Sequence, residues 1–315
     1  MRCLITGGAG FLGRHLAMSL LDHGHKVRCL DIYKPVWINK DNVEFYKGDF
    51  SAAHLVADAM AGCDVIFHLA WTTLPQTSNE DPDFDIVSNV QGTVRMLDEA
   101  VKAKVKKLIF MSSGGTVYGI PSVIPTPENH QTNPTCSYGI TKLTIEKYLR
   151  LYSSLHGLNT CSMRLSNPYG EYQGVNSIQG VVSVFCYKAL MGQTIQIWGD
   201  GSVKRDFIYV SDVVDAMMKV LDCPLSGYEV NIGSGKAVSI NGIIDRLEAV
   251  LEKKIHRQYS ANRPFDVPVS TLDISLAREK LNWTPKVDIL DGIGRTAGWI
   301  EKCYLTSDAD RPQSQ

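Results

Sequence analysis

Through its first ~110 residues the chain alternates short apolar runs with amphipathic stretches. The runs Arg2–Thr6, Lys26–Asp31, Val43–Lys47, Val65–Leu69 and Lys107–Ser112 have the length and content of buried strands. Helices are predicted between them at Phe11–His23 and at Asp85–Ala103, where Val87, Val90, Val94, Leu97 and Val101 fall at helical spacing. Another helix is predicted over Tyr138–Leu155, along which Ile140, Leu143, Tyr148 and Leu151 recur, and a strand follows at Asn159–Arg164. Strands alternating with helices predict a parallel sheet covered by helices. After Arg164 the texture changes. Gly199–Ser202 is a turn between short apolar runs, Asn231–Gly235 is a second loop, and Arg263–Asp266 opens a proline-punctuated stretch. The expected division is a sheet domain over 1–165, a smaller mixed α/β lobe over 166–305 from which the chain can cross back to the sheet, and a frayed polar tail over 306–315.

Composition narrows the class of function. The 315 residues are 44% hydrophobic and 21% charged, as in an ordinary globular enzyme. A net charge of −1 gives no electrostatic basis for binding nucleic acid or an anionic membrane. No apolar run reaches the ~20 residues of a membrane span. The eight cysteines are scattered and none forms a Cys-x-x-Cys pair, so neither a metal site nor a disulfide framework is expected. The first residues lack the small-residue cleavage site of a signal peptide, and the reducing cytoplasm is the expected location.

The first candidate chemistry lies in Gly7-Gly8-Ala9-Gly10-Phe11-Leu12-Gly13, which satisfies G-x-G-x-x-G between a predicted strand and a predicted helix. Glycines without a Cβ let the N–H groups of a helix start approach a pyrophosphate, which makes Gly7, Gly10, Phe11, Leu12 and Gly13 candidate cofactor contacts. Asp31 ends the second strand 18 residues after Gly13. A carboxylate there accepts from adenosine ribose hydroxyls and repels a 2′-phosphate, which favours NAD, while Lys34 nearby leaves NADP open for a reductase. The predicted fold is thus a Rossmann-type, doubly wound α/β sheet with a smaller mixed α/β substrate-binding lobe. The second motif is Tyr138-x-x-x-Lys142, whose ends share one helix face. An ammonium beside a phenol favours the phenolate, so a Tyr138 pKa below the usual ~10 is expected. Such a base can take a hydroxyl proton while hydride leaves the same carbon.

With these motifs in this order, the chain resembles the extended short-chain dehydrogenase/reductases, specifically their NAD-dependent epimerase/dehydratase group. The resemblance runs from Met1 to near Ile300 and is carried also by Gly48-Asp49-Phe50, His68-Leu69-Ala70, Asn89-Val90-Gln91-Gly92-Thr93 and the segment Ser112–Gly119. It implies that Asp49 and Phe50 flank the adenine, that Leu69, Ala70, Asn89 and Ser112 lie along the cofactor, and that Tyr138 and Lys142 meet it at the reacting end. That group usually carries Ser or Thr three residues before its Val-Tyr-Gly, where this chain has Gly114. Ser113 and Thr116 are the candidate replacements. Its 4,6-dehydratases carry an Asp-Glu pair where this chain has Gly115-Thr116, which argues against dehydration.

The C-terminal half resembles the substrate lobe of nucleotide-sugar epimerases. Arg164–Gly170 matches a segment whose asparagine, here Asn167, reaches the substrate diphosphate. Lys204–Asp212 and Arg263–Asp266 match segments that supply Arg205, Arg263 and Asp266 as nucleotide contacts. Two guanidinium forks suit a diphosphate. Ser270, four residues after Asp266, is small where plain-hexose epimerases carry a large aromatic, which implies room for an N-acetyl group. The expected activity is an NAD-dependent 4-epimerase of a UDP-hexose or UDP-N-acetylhexosamine acting through a transient 4-keto sugar. An NAD(P)H-dependent nucleotide-sugar 4-ketoreductase is the alternative, and a non-catalytic nucleotide sensor the third reading. A homodimer through the helices at Asp85–Ala103 and Tyr138–Leu155 is also implied.

Overall fold

Side chains along the first strands alternate between two apolar layers. Cys3 and Ile5, Val27 and Cys29, and Val65 and Phe67 enter one; Leu4, Leu30 and Ile66 enter the other. This two-residue period is what a sheet buried on both faces requires. The computed structural model describes residues 1–38, 43–175, 180–224, 226–261 and 267–305. The predicted tail over 306–315, and Arg263 and Asp266, lie outside the described residues.

The strands β1 (Arg2–Thr6), β2 (Lys26–Asp31), β3 (Val43–Lys47), β4 (Val65–His68), β5 (Lys107–Ser113) and β6 (Asn159–Leu165) are joined by α1 (Phe11–Asp22), α2 (Ala53–Met60), α3 (Pro82–Asp85), α4 (Gly92–Lys102) and α5 (Ser137–His156). The chain continues through β7 (Asn167–Tyr169), α6 (Val181–Leu190), β8 (Ile195–Trp198), β9 (Lys204–Tyr209), α7 (Val210–Asp222) and β10 (Tyr228–Ile232). It ends with β11 (Ala237–Ser239), α8 (Ile240–Leu251), β12 (Arg257–Ser260), β13 (Val269–Ser270), α9 (Ser275–Leu281) and α10 (Ile289–Tyr304). The large sheet is wholly parallel, in the order β3-β2-β1-β4-β5-β6-β10. Strand order reverses between β1 and β4, and ligands of such sheets bind in the crevice that opens there at the carboxyl ends.

Leu16 and Leu20 of α1, Val213 and Met217 of α7, and Trp283 cover one face of this sheet. Val56 and Met60 of α2, Met96 and Leu97 of α4, and Ile145 and Leu149 of α5 cover the other. A third apolar cluster holds the lobe together, with Phe185, Ile195, Ile197, Ile243, Leu247 and Ile300 at its centre. There β9 pairs with β7, β11 and β13, and β8 with β12.

One predicted helix is corrected. The stretch Asp85–Ala103 is not one regular helix: α3 starts at Pro82, with Asp81 accepting from the Phe84 N–H, and a wide π-helical segment, Ile86–Gln91, precedes α4. That segment carries Ser88 and Asn89 inward, where both hydrogen-bond Thr72. Apolar periodicity shows where a helix packs; it does not register a bulge made by polar contacts.

Candidate active site

The glycine loop leaves β1 at its carboxyl end. Gly7 has φ +74° and lies so close to the following crossover that a Cβ would come within 2.8 Å of Ala70 N; a Cβ on Gly13 would come within 2.2 Å of Gly7 O. Both glycines are demanded by packing within the chain. Gly10 is not: a Cβ there would meet only Gly7 O, at 3.3 Å. It is exposed and precedes the first turn of α1, which has no side-chain cap and no acidic residue. The residues fit a pyrophosphate: uncapped N–H groups of Phe11, Leu12 and Gly13 at a helix start, and an open approach over Gly10. Asp31 ends β2 beside this loop, and its Oδ2 accepts from Ala9 N at 2.9 Å. Asp49 turns its carboxylate onto Ser51 N (2.8 Å), and Phe50 is buried edge-on to His68. Leu69 N donates to Thr6 O and Ala70 N to Thr6 Oγ1, so the β4 crossover runs alongside the glycine loop.

Two residues expected along the cofactor have their polar groups engaged with the protein. The Asn89 carboxamide donates to Thr72 Oγ1 and Asp85 Oδ1 and accepts from Thr72 N. Ser112 donates to Glu146 Oε1 at 2.6 Å.

Tyr138 and Lys142 stand on one face of α5. The helix start is capped from the loop after β4, where Asn79 Oδ1 accepts from Ser137 N and Ser78 Oγ from Tyr138 N. Lys142 is buried; its Nζ donates to Met111 O at 2.7 Å and lies 3.6 Å from the centre of the Trp71 ring. Trp71 meets the Tyr138 ring edge-on at 5.6 Å. The expected lowering of the Tyr138 pKa is corrected. Burial pushes the phenol up, with the neighbouring Cys136 and Asp85 adding to the effect, and burial pulls Lys142 down against the support of Asp85 and Glu146. The ammonium is 5.5 Å from the Tyr138 ring centre and is turned to a carbonyl, so desolvation outweighs attraction.

The space at Gly114 is filled. A Cβ there would sit 2.6 Å from Leu272 Cδ1 and 3.1 Å from Arg164 O. Leu272 is buried, so a serine at 114 is sterically replaced by a leucine reaching over from the C-terminal part of the chain. Thr116 Oγ1 is buried without a hydrogen-bond partner among the described residues, and Thr116 packs against Gly139, next to Tyr138. Ser113 ends β5 half-buried.

Beneath the site, Arg164 pairs with Glu146 through Nη2 and Oε2 at 2.7 Å, both fully enclosed. The same guanidinium donates to Tyr118 OH, which donates to Asn231. His68 joins Thr6 to Thr93 through its two ring nitrogens and is held neutral, its pKa pulled down to about 3 by burial.

On the lobe side, β9 and β13 place Arg205 opposite Ser270. Arg205 Nη1 donates to Val267 O and Lys204 O. Asn167 lies on β7, and its amide donates to Asp206 O, so it secures β9. Asp206 itself is enclosed and gathers Ser234 N, Gly235 N and Leu272 N. The sequence motifs do not include Trp71, Asp85 or Leu272. The one signal for Asp85 is an acid standing between Phe84 and Ile86.

The profile of the NAD dependent epimerase/dehydratase family matches residues 3–233. A UDP-glucose 4-epimerase of Mycolicibacterium smegmatis is 37% identical over 304 residues, covering 94% of this chain and 97% of that protein. A dTDP-4-dehydro-6-deoxyglucose reductase of Escherichia coli is 34% identical over 310 residues, covering 93% and 95%. Among solved structures, a UDP-glucose 4-epimerase of Thermotoga maritima with UDP-glucose superimposes with a TM-score of 0.92 at 33% identity, over 96% of this chain and 99% of that one.

Proposed function

The chain belongs to the NAD dependent epimerase/dehydratase family, and we propose that it is a 4-epimerase of a UDP-hexose or UDP-N-acetylhexosamine. The observation that carries this reading is the placement of Tyr138 and Lys142 at the carboxyl edge of the same sheet whose first strand ends in the glycine loop. The glycine loop and Asp31 hold the dinucleotide, with Asp31 selecting NAD. Bound NAD would supply the hydride acceptor, and its positive charge would favour the Tyr138 phenolate, the form that takes a proton and that burial by itself disfavours. Tyr138 takes the proton of the sugar 4-hydroxyl and returns it after the 4-keto sugar has turned over. Thr116, with Ser113 beside it, donates to the reacting oxygen in place of a serine at 114. Arg205 and Ser270 face the nucleotide-sugar, and Arg263 and Asp266 keep the nucleotide contacts that the resemblance gives them.

The reading includes a cytoplasmic homodimer. Among the described residues no helix is long and apolar enough to cross a membrane. Phe84, Val87, Ile140, Tyr148, Leu151 and Leu155 are exposed along α5 and the approach to α4. Such a stripe on two adjacent helices suits a twofold helical interface.

The test is incubation with UDP-glucose and with UDP-N-acetylglucosamine, with no added cofactor, following the C4 configuration by proton NMR. The galacto epimer is expected, and Tyr138→Phe should abolish it while NAD binding persists. No conversion of either substrate, with NAD added, would overturn the reading. The 34% identity to a dTDP-sugar reductase favours one second reading, a 4-ketoreductase. It would reveal itself by stoichiometric NAD(P)H oxidation with a 4-keto-6-deoxy nucleotide sugar.

A further inference from the structure

Asp85 is fully buried and accepts four side-chain hydrogen bonds. Its Oδ1 takes Thr73 Oγ1 (2.7 Å) and Asn89 Nδ2 (2.8 Å), and its Oδ2 takes Ser137 Oγ (2.7 Å) and Thr141 Oγ1 (3.1 Å). Each carboxyl oxygen thus faces two side-chain groups able to donate a hydrogen bond, and none of the four carries a charge. The contacts form two arms. One runs through Thr73, which accepts from Trp71 Nε1 at 3.2 Å, to the ring that covers the Lys142 ammonium. The other holds Ser137, which precedes Tyr138 at the start of α5, and Thr141, which precedes Lys142.

We propose that Asp85 is the positioning residue of this site: a buried carboxylate that sets Tyr138, Lys142 and Trp71 relative to one another and is the counter-charge of the Lys142 ammonium. It touches neither cofactor nor substrate. The other charged and titratable groups around the pair have different duties. Glu146 is committed to Arg164 and Ser112, His68 is neutral, and Met111 contributes only a carbonyl. Cys136 is a thiol that burial keeps protonated. Asp85 therefore is the acid whose charge acts on the Lys142 ammonium ahead of Glu146, and its own hydrogen-bond partners are all neutral. The inference rests on the oxidoreductase reading of Tyr138 and Lys142.

Asp85→Asn is the test, because an amide can serve the same four partners once the two hydroxyls of α5 reverse and accept. Only the charge is lost. Removing a nearby negative charge lowers the pKa of both an acid and a base. The ionisation of Tyr138, followed by NMR of [ζ-¹³C]tyrosine protein and assigned with Tyr138→Phe, should move down by about one pH unit or more. The kcat should fall at least tenfold with KM little changed, and both limbs of the pH–rate profile should move to lower pH. An unmoved Tyr138 titration with unchanged kcat would overturn the proposal. The NMR titration needs no turnover, so it stands if wild type fails to epimerise and the functional reading alone is lost. Should Asp85→Asn not fold, the double variant Thr73→Val with Ser137→Ala removes the 2.7 Å hydrogen bond of each arm and keeps the charge. It should lower kcat without moving the Tyr138 titration, and an unchanged kcat in that variant would also overturn the proposal.

Discussion

Gly114→Ser, made alone, should destabilise the protein by about 1–3 kcal/mol, the usual range for overpacking a filled interior. The reason is local. A Cβ at 114 stands 2.6 Å and 2.8 Å from the two methyl carbons of Leu272, against the 3.4–4 Å of ordinary contact, and 3.1 Å from Arg164 O on the other side. Leu272 is 1% exposed and its backbone N–H is held by Asp206, so it has little freedom to withdraw. Leu272→Ala alone should cost about 2–5 kcal/mol by leaving a cavity. In the double variant the serine side chain enters the space the leucine vacates. The two costs should then fail to add, with a coupling of at least ~1 kcal/mol. The assay is chemical denaturation of the four proteins, with turnover measured alongside. Relative to Leu272→Ala, the double variant should also gain about tenfold in kcat, since a hydroxyl is returned beside the reacting oxygen. Costs that add within ~0.5 kcal/mol would refute the view that Leu272 holds the place of a side chain at 114.

Gly10→Ala should leave thermal stability nearly unchanged, because the added methyl meets only Gly7 O at 3.3 Å, yet weaken NAD binding at least tenfold by calorimetry; Gly13→Ala, which collides with Gly7 O at 2.2 Å, should lose the fold. His68 is neutral when folded, with its pKa held down to about 3 from 6.5, so the unfolded chain binds a proton that the folded chain refuses. The stability this contributes is complete above pH 6.5 and is lost as pH falls from there towards 3. His68→Gln, which can still join Thr6 to Thr93, should flatten that part of the stability–pH curve measured by denaturation. Leu151→Glu with Leu155→Glu, on an exposed stripe of α5, should yield a folded monomer by light scattering where wild type gives a dimer.

Most of the large sheet was legible from pattern alone. β1, β2 and β3 coincide with the apolar runs read from the chain: β1 and β2 because strands buried on both faces are short, continuous and apolar, and β3, a part-buried edge strand, through Val43 and Phe45, which pack on one layer. The glycine loop and the Tyr138–Lys142 pair were legible for a related reason: each is a local motif whose chemistry depends on neighbours only a few residues apart. The lobe was less readable. β13 is two residues long, and it matters because it brings Ser270 opposite Arg205 across 65 residues of chain.

Sequence by itself thus determined the parallel sheet and where the glycine loop, Asp31 and the Tyr138–Lys142 spacing fall in it, since periodicity and short motifs are properties of neighbouring residues. Tertiary structure decided what surrounds them. It set Leu272 in the space above Gly114, bound Asp85 to Ser137 and Thr141 of α5, and turned Asn89, Ser112 and Asn167 to protein partners. It also reversed the expected direction of the Tyr138 shift, because a spacing of four residues fixes which groups share a helix face, whereas burial and the direction of an ammonium depend on everything packed around them.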